Sequence, residues 1–261
     1  ILMELPVDEK GTTYKKGTTC QSCTSARRYG LPQASARGLR WKGIYMKITR
    51  PIKAVLFDMD GVMVDSEFVY MKYLLEFAKE KNPAVTMEDI NPMVGRSRQD
   101  SWTVMERAVN NGESWESLIK EWAERDIYSR IDYRKIFRPE MKTTVQELKR
   151  RGYTVALVSS TGPKLISRIV EEVGMRPEFD LIVSGKQFKQ SKPNPEIYHY
   201  AADTLGIRED ECFVVEDSTV GIEAAYRAGM SIAGLKDERF GFDQSKADYH
   251  IDSISDILKY L

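Results

Sequence analysis

The sequence predicts an α/β protein whose doubly wound, parallel-sheet core is interrupted, after its first strand, by an inserted domain built only from helices. Short apolar runs recur between residues 54 and 235, and stretches of helical period, each closed by a glycine, lie between the later ones. One long stretch, residues 67–137, keeps the helical period and contains no convincing strand. Strand and helix in alternation give βαβ units and hence a parallel, Rossmann-like sheet, with the helical stretch set into it as an α-helical cap domain.

Residues 1–49 stand apart. They are rich in Gly, Thr, Ser, Lys and Arg and hold no sustained period of 3.6 or 2. Such a segment buries too little apolar surface to offset its ordering entropy, so a disordered or loosely ordered extension is expected, with Met46 a candidate natural start. Cys20 and Cys23 form a C-x-x-C pair there, but no second pair follows, and His199 and His250 are far away in sequence. The expectation is two free thiols rather than a metal or redox site. Cys212 opens an apolar run and reads as core.

From Pro51 onward the pattern is regular. Ala54-Val55-Leu56-Phe57 is apolar throughout, as a strand covered on both faces must be. Comparable runs are residues 154–158, 181–183, 213–215 and 231–235. Helices are expected at 143–151, 164–173, 196–205 and 220–228, followed by Gly152, Gly174, Gly206 and Gly229, each suited to a left-handed C-cap. In the insert, Phe68, Met71, Leu74, Phe77 and Ala78 share one face, Trp102, Met105 and Val109 a second, and Trp115, Leu118 and Trp122 a third. Aromatics and Met at this spacing read as bundle core rather than a ligand pocket. The expected division is a core of residues 50–66 and 138–261 and a cap of residues 67–137.

Lys plus Arg and Asp plus Glu both number 39, so no overall field draws nucleic acid or an anionic membrane. No apolar run approaches the roughly 20 residues a membrane helix needs. Residues 1–10 mix charge with proline and are no signal peptide, so a cytoplasmic protein is expected.

The chemistry gathers where strands end. Asp58-Met59-Asp60-Gly61-Val62 follows the first strand, and an i, i+2 pair leaving a strand can aim both carboxylates to one side. Two acids that close repel and want a divalent cation. The second strand runs into Ser159-Ser160-Thr161, hydroxyls and amides that open a helix and suit a phosphate. Ser191-Lys192-Pro193-Asn194-Pro195 sets a lysine in a proline-fixed loop before a helix, and the 213–215 strand runs into Glu216-Asp217, hard oxygen donors suited to Mg²⁺. Singly each has a plainer reading: a turn, a helix cap, a solvated lysine, an exposed acidic pair. Together they bring complementary parts to one edge of one sheet, where open parallel sheets bind ligands.

The order D-x-D-G-V, S-S-T, S-K-P-x-P and E-D-S resembles the haloacid dehalogenase-like superfamily, and the insertion after the first motif is similar to its helical-cap subgroup, which includes β-phosphoglucomutase and sugar-phosphate phosphatases. The resemblance implies Asp58 as nucleophile forming an aspartyl-phosphate and Asp60 as general acid/base. It implies Ser159 and Ser160 as phosphate ligands and Lys192 as the bridge between Asp58 and the phosphoryl group. It also implies Mg²⁺ held by Asp58, the Asp60 carbonyl and Asp217, with Glu216 beside it. The acid at position 60 weighs against the dehalogenases and phosphonate hydrolases of the superfamily, which lack it.

Gly95-Arg96-Ser97-Arg98 is similar to the mutase loop that carries a substrate-phosphate arginine, which places Gly95 and Arg98 at the substrate. The mutase histidine of the first cap helix is replaced by Tyr70. The resemblance therefore implies a phosphatase acting on a small phosphorylated metabolite, with the mutase reaction and a non-catalytic binding role as alternatives. A monomer without nucleic-acid or membrane partners is expected.

Overall fold

The computed structural model describes residues 51–94 and 98–261, with residue 98 described by its backbone only. The expectations for residues 1–49, for Cys20 and Cys23, for Gly95 and for the side chain of Arg98 lie outside the described residues.

The core is a parallel sheet of β1 (Ala54–Phe57), β2 (Thr154–Ser159), β3 (Leu181–Ser184), β4 (Cys212–Glu216), β5 (Ser231–Leu235) and β6 (Tyr249–Ile251), in the order β3-β2-β1-β4-β5-β6. β1 lies between β2 and β4, with Phe57 level with Leu157 on one side and Val215 on the other. That central place explains its uninterrupted apolar run: all its residues are fully buried. The chain winds outward in one direction through β2 and β3 and in the other through β4 to β6. The reversal at β1 opens a crevice beyond the strand ends. β6 is not among the expected strands. It is an edge strand of three residues, too short to carry a readable period.

Between β1 and β2 come α1 (Ser66–Lys81), α2 (Met87–Ile90), α3 (Arg98–Val109), α4 (Trp115–Ala123) and α5 (Ile127–Arg130). Most of the residues predicted to face inward do so: Met71, Leu74, Phe77, Trp102, Met105, Leu118 and Trp122 form one buried cluster, separate from those of the sheet, whereas Phe68 lies outside it, partly exposed, with Lys72 and Arg239 against its ring. Two antiparallel segments join this insert to the core. Val64 pairs with Phe137, the Asp65 amide donates to the Ile136 carbonyl at 2.8 Å, and the Arg138 amide donates to Met63 at 3.0 Å.

The remaining helices cover the sheet. α6 (Glu140–Arg150) and α7 (Pro163–Glu172) pack on the face carrying Val55, Phe57, Val155 and Leu157, whereas α8 (Glu196–Leu205) and α9 (Thr219–Arg227) pack on the face carrying Leu56, Val158 and Val214. This alternation along each strand is what a sheet covered on both faces demands. α6 begins earlier than residue 143, because Met141 extends the stripe of Thr144, Val145 and Leu148 by one turn, and Pro139 suits a helix start. Among the described residues no helix is long and apolar enough to cross a membrane.

Candidate active site

At the carboxyl end of β1 the ladder continues one residue beyond the strand. The Asp58 amide donates to the Val215 carbonyl at 3.0 Å and pins Asp58 above the centre of the sheet. The chain then turns tightly: the Gly61 amide bonds the Val64 carbonyl at 2.8 Å, and Met59, Val62, Met63 and Val64 are fully buried beneath it. Gly61 has φ +78°, and a Cβ there would lie 1.9 Å from Oδ2 of Asp217. Glycine is needed twice over, for the left-handed backbone and for the room.

Lys192 reaches this point from the loop between β3 and α8. Its ammonium donates to Asp58 Oδ1 at 2.6 Å, to Glu216 Oε1 at 2.7 Å and to the Val158 carbonyl at 3.0 Å. The lysine side chain is 4 % exposed, and those of Asp58 and Glu216 are 10 % and 0 % exposed. Glu216, the last residue of β4, is held on every side. Tyr198 donates to Oε1 at 3.2 Å, while the amides of Asp217 and Ser218 and the Ser218 hydroxyl donate to Oε2. Ser218 is also the N-cap of α9, where it accepts from the Gly221 amide at 3.1 Å. Gly221 leaves space for the carboxylate, since a Cβ there would lie 1.7 Å from Oε1 of Glu216.

Asp58, Glu216 and Asp217 each offer a carboxylate oxygen within 4.8 Å of the others, all three buried. With all three ionised, three carboxylates against one ammonium would leave two negative charges in a low-dielectric site, a costly arrangement. Burial, opposed by Lys192 and reinforced by Glu216 and Asp60, pushes Asp58 up to about 8. Burial, with repulsion from Glu216 and Asp58, pushes Asp217 well above the usual carboxylate range. Burial alone would lower Lys192, but Asp58 and Glu216 more than reverse that and keep it charged. The cluster as a whole calls for positive charge, and its hard oxygens and its deficit of two fit a divalent cation.

Asp60 lies apart from this cluster, and its side chain has other partners. Oδ1 accepts from the Ser66 hydroxyl at 2.6 Å, and Oδ2 accepts from Thr161 at 2.8 Å and Ser159 at 3.4 Å. Ser159 also accepts from the Thr161 amide at 3.0 Å, and Ser184 donates to the Thr161 carbonyl at 2.6 Å. The Ser160 hydroxyl accepts from Ser191 at 3.2 Å. The bonds to Ser66 and Thr161 and the brace from Tyr198 are absent from the sequence reading. Ser66 and Thr161 adjoin recognisable motifs, but nothing local distinguishes Tyr198 from an ordinary core aromatic.

Asp58, Asp60, Ser160, Lys192, Glu216 and Asp217 line one cavity of about 440 Å³. The helical insert supplies Glu67, Tyr70, Val94 and Tyr128 to its wall. Glu67 is half-buried, and burial followed by repulsion from Asp60, Asp237 and Asp65 pushes it up to about 7. The Tyr70 hydroxyl accepts from Trp122 Nε1 at 2.8 Å, and its ring stacks on Tyr128 with centroids 5.6 Å apart. His199 bonds Glu209 and His250 lies in the edge strand, so no histidine among the described residues lines the cavity.

The family of haloacid dehalogenase-like hydrolases matches residues 55–235. A phosphorylated carbohydrates phosphatase of Thermotoga maritima is 27 % identical over 69 % of this chain and 82 % of its own. A phosphoglycolate phosphatase of Vibrio parahaemolyticus is 27 % identical over 80 % of this chain and 95 % of its own. The crystal structure of a β-phosphoglucomutase from Clostridium difficile superposes with a TM-score of 0.62 at 23 % identity, covering 79 % of this chain and 93 % of that one, a likeness of fold.

Proposed function

Because the chain belongs to the haloacid dehalogenase-like hydrolase family, we propose that it is a Mg²⁺-dependent phosphatase that acts on a small phosphomonoester, a sugar phosphate in the first instance, through an aspartyl-phosphate on Asp58. One observation carries this reading. A carboxylate paired with a buried ammonium, a second carboxylate held by hydroxyls, and an acidic cluster fit for a divalent cation all open into one cavity.

Asp58 attacks phosphorus through the oxygen that Lys192 leaves free. The bond to the ester oxygen breaks, and that oxygen takes a proton from Asp60. Asp60 then removes a proton from water, the water attacks the aspartyl-phosphate, and inorganic phosphate leaves with Asp58 restored. Lys192, the Ser160 amide and the Ser160 hydroxyl would meet the phosphoryl oxygens, and Ser159, whose hydroxyl is turned to Asp60 and the Thr161 amide, would join them by turning toward the cavity. Asp58, Asp217 and the Asp60 carbonyl would hold Mg²⁺, with Glu216 as countercharge beside it. The ion would neutralise charge between the anionic nucleophile and the ester. The bonds from Ser66 and Thr161 support the part given to Asp60, because an acid/base group must keep one orientation through two half-reactions.

We read residues 67–137 as the cap and residues 50–66 and 138–261 as the core, with the paired segments around Val64 and Phe137 as the hinge. Gly95 and Arg98 are assigned to the substrate's distal group. Hydrolysis is preferred to a mutase reaction because Tyr70, whose hydroxyl oxygen accepts from Trp122 Nε1, takes the place of the mutase histidine.

A panel of phosphorylated sugars and small acids, assayed for phosphate release and for isomer formation with Mg²⁺ and with chelator, tests the reading. Phosphate release that needs Mg²⁺ and disappears in Asp58→Asn is expected. An Asp58→Asn rate above about a tenth of wild type refutes the nucleophile. Isomer formed without phosphate release refutes hydrolysis. Arg98→Ala should raise KM for sugar phosphates more than for an aryl phosphate, and equal effects would remove Arg98 from the site.

A further inference from the structure

The loop after β5 reaches away from the sheet to the hinge. Both its ends are fastened to the core: the Lys236 amide donates to the Ile251 carbonyl at 3.0 Å, and Gln244 Nε2 donates to the carbonyls of Asp217 and Leu235, each at 2.7 Å. Arg239 in this loop meets Asp65, the residue with which the chain leaves the core. Nη1 and Nη2 donate to the two Asp65 oxygens at 2.9 and 2.6 Å, fork to fork. Nε donates to Asp237 at 2.9 Å, and the guanidinium lies 5.0 Å from the Phe68 ring centroid. Phe240, the next residue, packs against the apolar cluster of the helical insert, and Phe242 lines the cavity. The returning segment has a separate tie, in which Arg168 of α7 donates to the Tyr128 and Ile131 carbonyls at 2.9 and 3.2 Å.

Asp65 stands where two paths cross. Its amide bonds Ile136 on the returning segment, and its neighbour Ser66 donates the 2.6 Å bond to Asp60. We propose that Arg239 is a positioning residue: by gripping Asp65 from a loop anchored on the sheet, it fixes Ser66 and thereby the carboxylate of Asp60, so that the seating of the cap and the readiness of that carboxylate are coupled. This rests on the reading of Asp60 as the acid/base group. The strength of the ion pair is secondary, since pairs of this exposure contribute little to stability. Its geometry decides, because a bidentate guanidinium fixes orientation as well as distance, and a bond as short as that from Ser66 to Asp60 has no slack. Misplacement by about 1 Å is enough to cost on the order of 100-fold in rate.

The test compares Arg239→Ala and Arg239→Lys with the wild-type full chain in Mg²⁺, using p-nitrophenyl phosphate as the generic substrate. In Arg239→Ala, kcat should fall about 10- to 100-fold, the range of one lost charge-assisted bond, while KM changes far less. Millimolar guanidinium should restore rate where equal sodium chloride does not. The amides of Asp65 and Arg138, which close the hinge pair, should exchange hydrogen faster. Arg239→Lys, which keeps charge but loses the fork, should fall between and guards against misfolding of the alanine variant. A kcat within about two-fold of wild type in both variants, a loss that guanidinium does not restore, or unchanged exchange overturns the proposal. Asp60→Asn is assayed in parallel. Full activity in that variant removes the acid/base reading itself, and hydrogen exchange then decides alone whether Arg239 holds the hinge.

Discussion

Lys192→Met removes a buried ammonium while nearly preserving its volume. The ammonium makes three bonds, to Asp58, Glu216 and the Val158 carbonyl. Removing one partner of a buried pair typically costs about 3–5 kcal/mol, because the other charge is left uncompensated. Here two carboxylates lose the same partner, but not equally. Glu216 retains Tyr198, Ser218 and two backbone amides, so most of the damage falls on Asp58. A loss near that of a single pair, about 3–5 kcal/mol, is therefore expected in urea melts run with chelator. Mg²⁺ should then stabilise the variant more than the wild type. A cation bound only by the folded chain adds stability as its affinity rises, and the variant has lost the ammonium that would repel and compete with that cation at Asp58. Turnover should stay lost under both conditions. A melt in chelator within about 0.5 kcal/mol of wild type, the ordinary effect of a surface substitution, would refute the view that Lys192 balances this cluster.

Gly221→Ala places a methyl group 1.7 Å from Oε1 of Glu216, a carboxylate with no exposed surface, and should cost about 3 kcal/mol or more in thermal or urea melts. A loss below about 1 kcal/mol, the range of a helix-propensity change, would mean that Glu216 can move aside. Glu147, held down to about 2 by Arg150 and Arg151, gives a pH test. Its folded value lies below the unfolded one of 4.5, so its stabilising effect is full above 4.5 and is lost as pH falls through about 2. The difference in melting temperature between wild type and Glu147→Gln should hold steady from pH 7 to 5 and close in acid, and a difference that widens in acid contradicts this sign.

The strands of the sheet and the acids that follow them were legible because their signals are local. β1 announces itself by four consecutive apolar residues, and Asp58 and Asp60 follow it directly. The glycine-closed helices could be read for the same reason. The surroundings of Asp60 and Glu216 could not: the hydroxyl of Thr161 reaches Asp60 across 101 positions of sequence, and Tyr198 looks like any buried aromatic of α8 until β4 brings Glu216 beside it. β6 escaped because three residues hold no period.

Sequence by itself determined which residues can form strands and helices and which carry reactive groups, since propensity, apolar period and side-chain chemistry are properties of neighbouring residues. Tertiary structure alone decided what each reactive group faces. It set one ammonium between two carboxylates, gathered three buried acids close enough to share one cation, and joined Arg239 to Asp65 across 174 positions. Those contacts follow from the parallel winding of the sheet and the return of the chain at the hinge, and the electrostatics of a buried site depend on distances that no local pattern encodes.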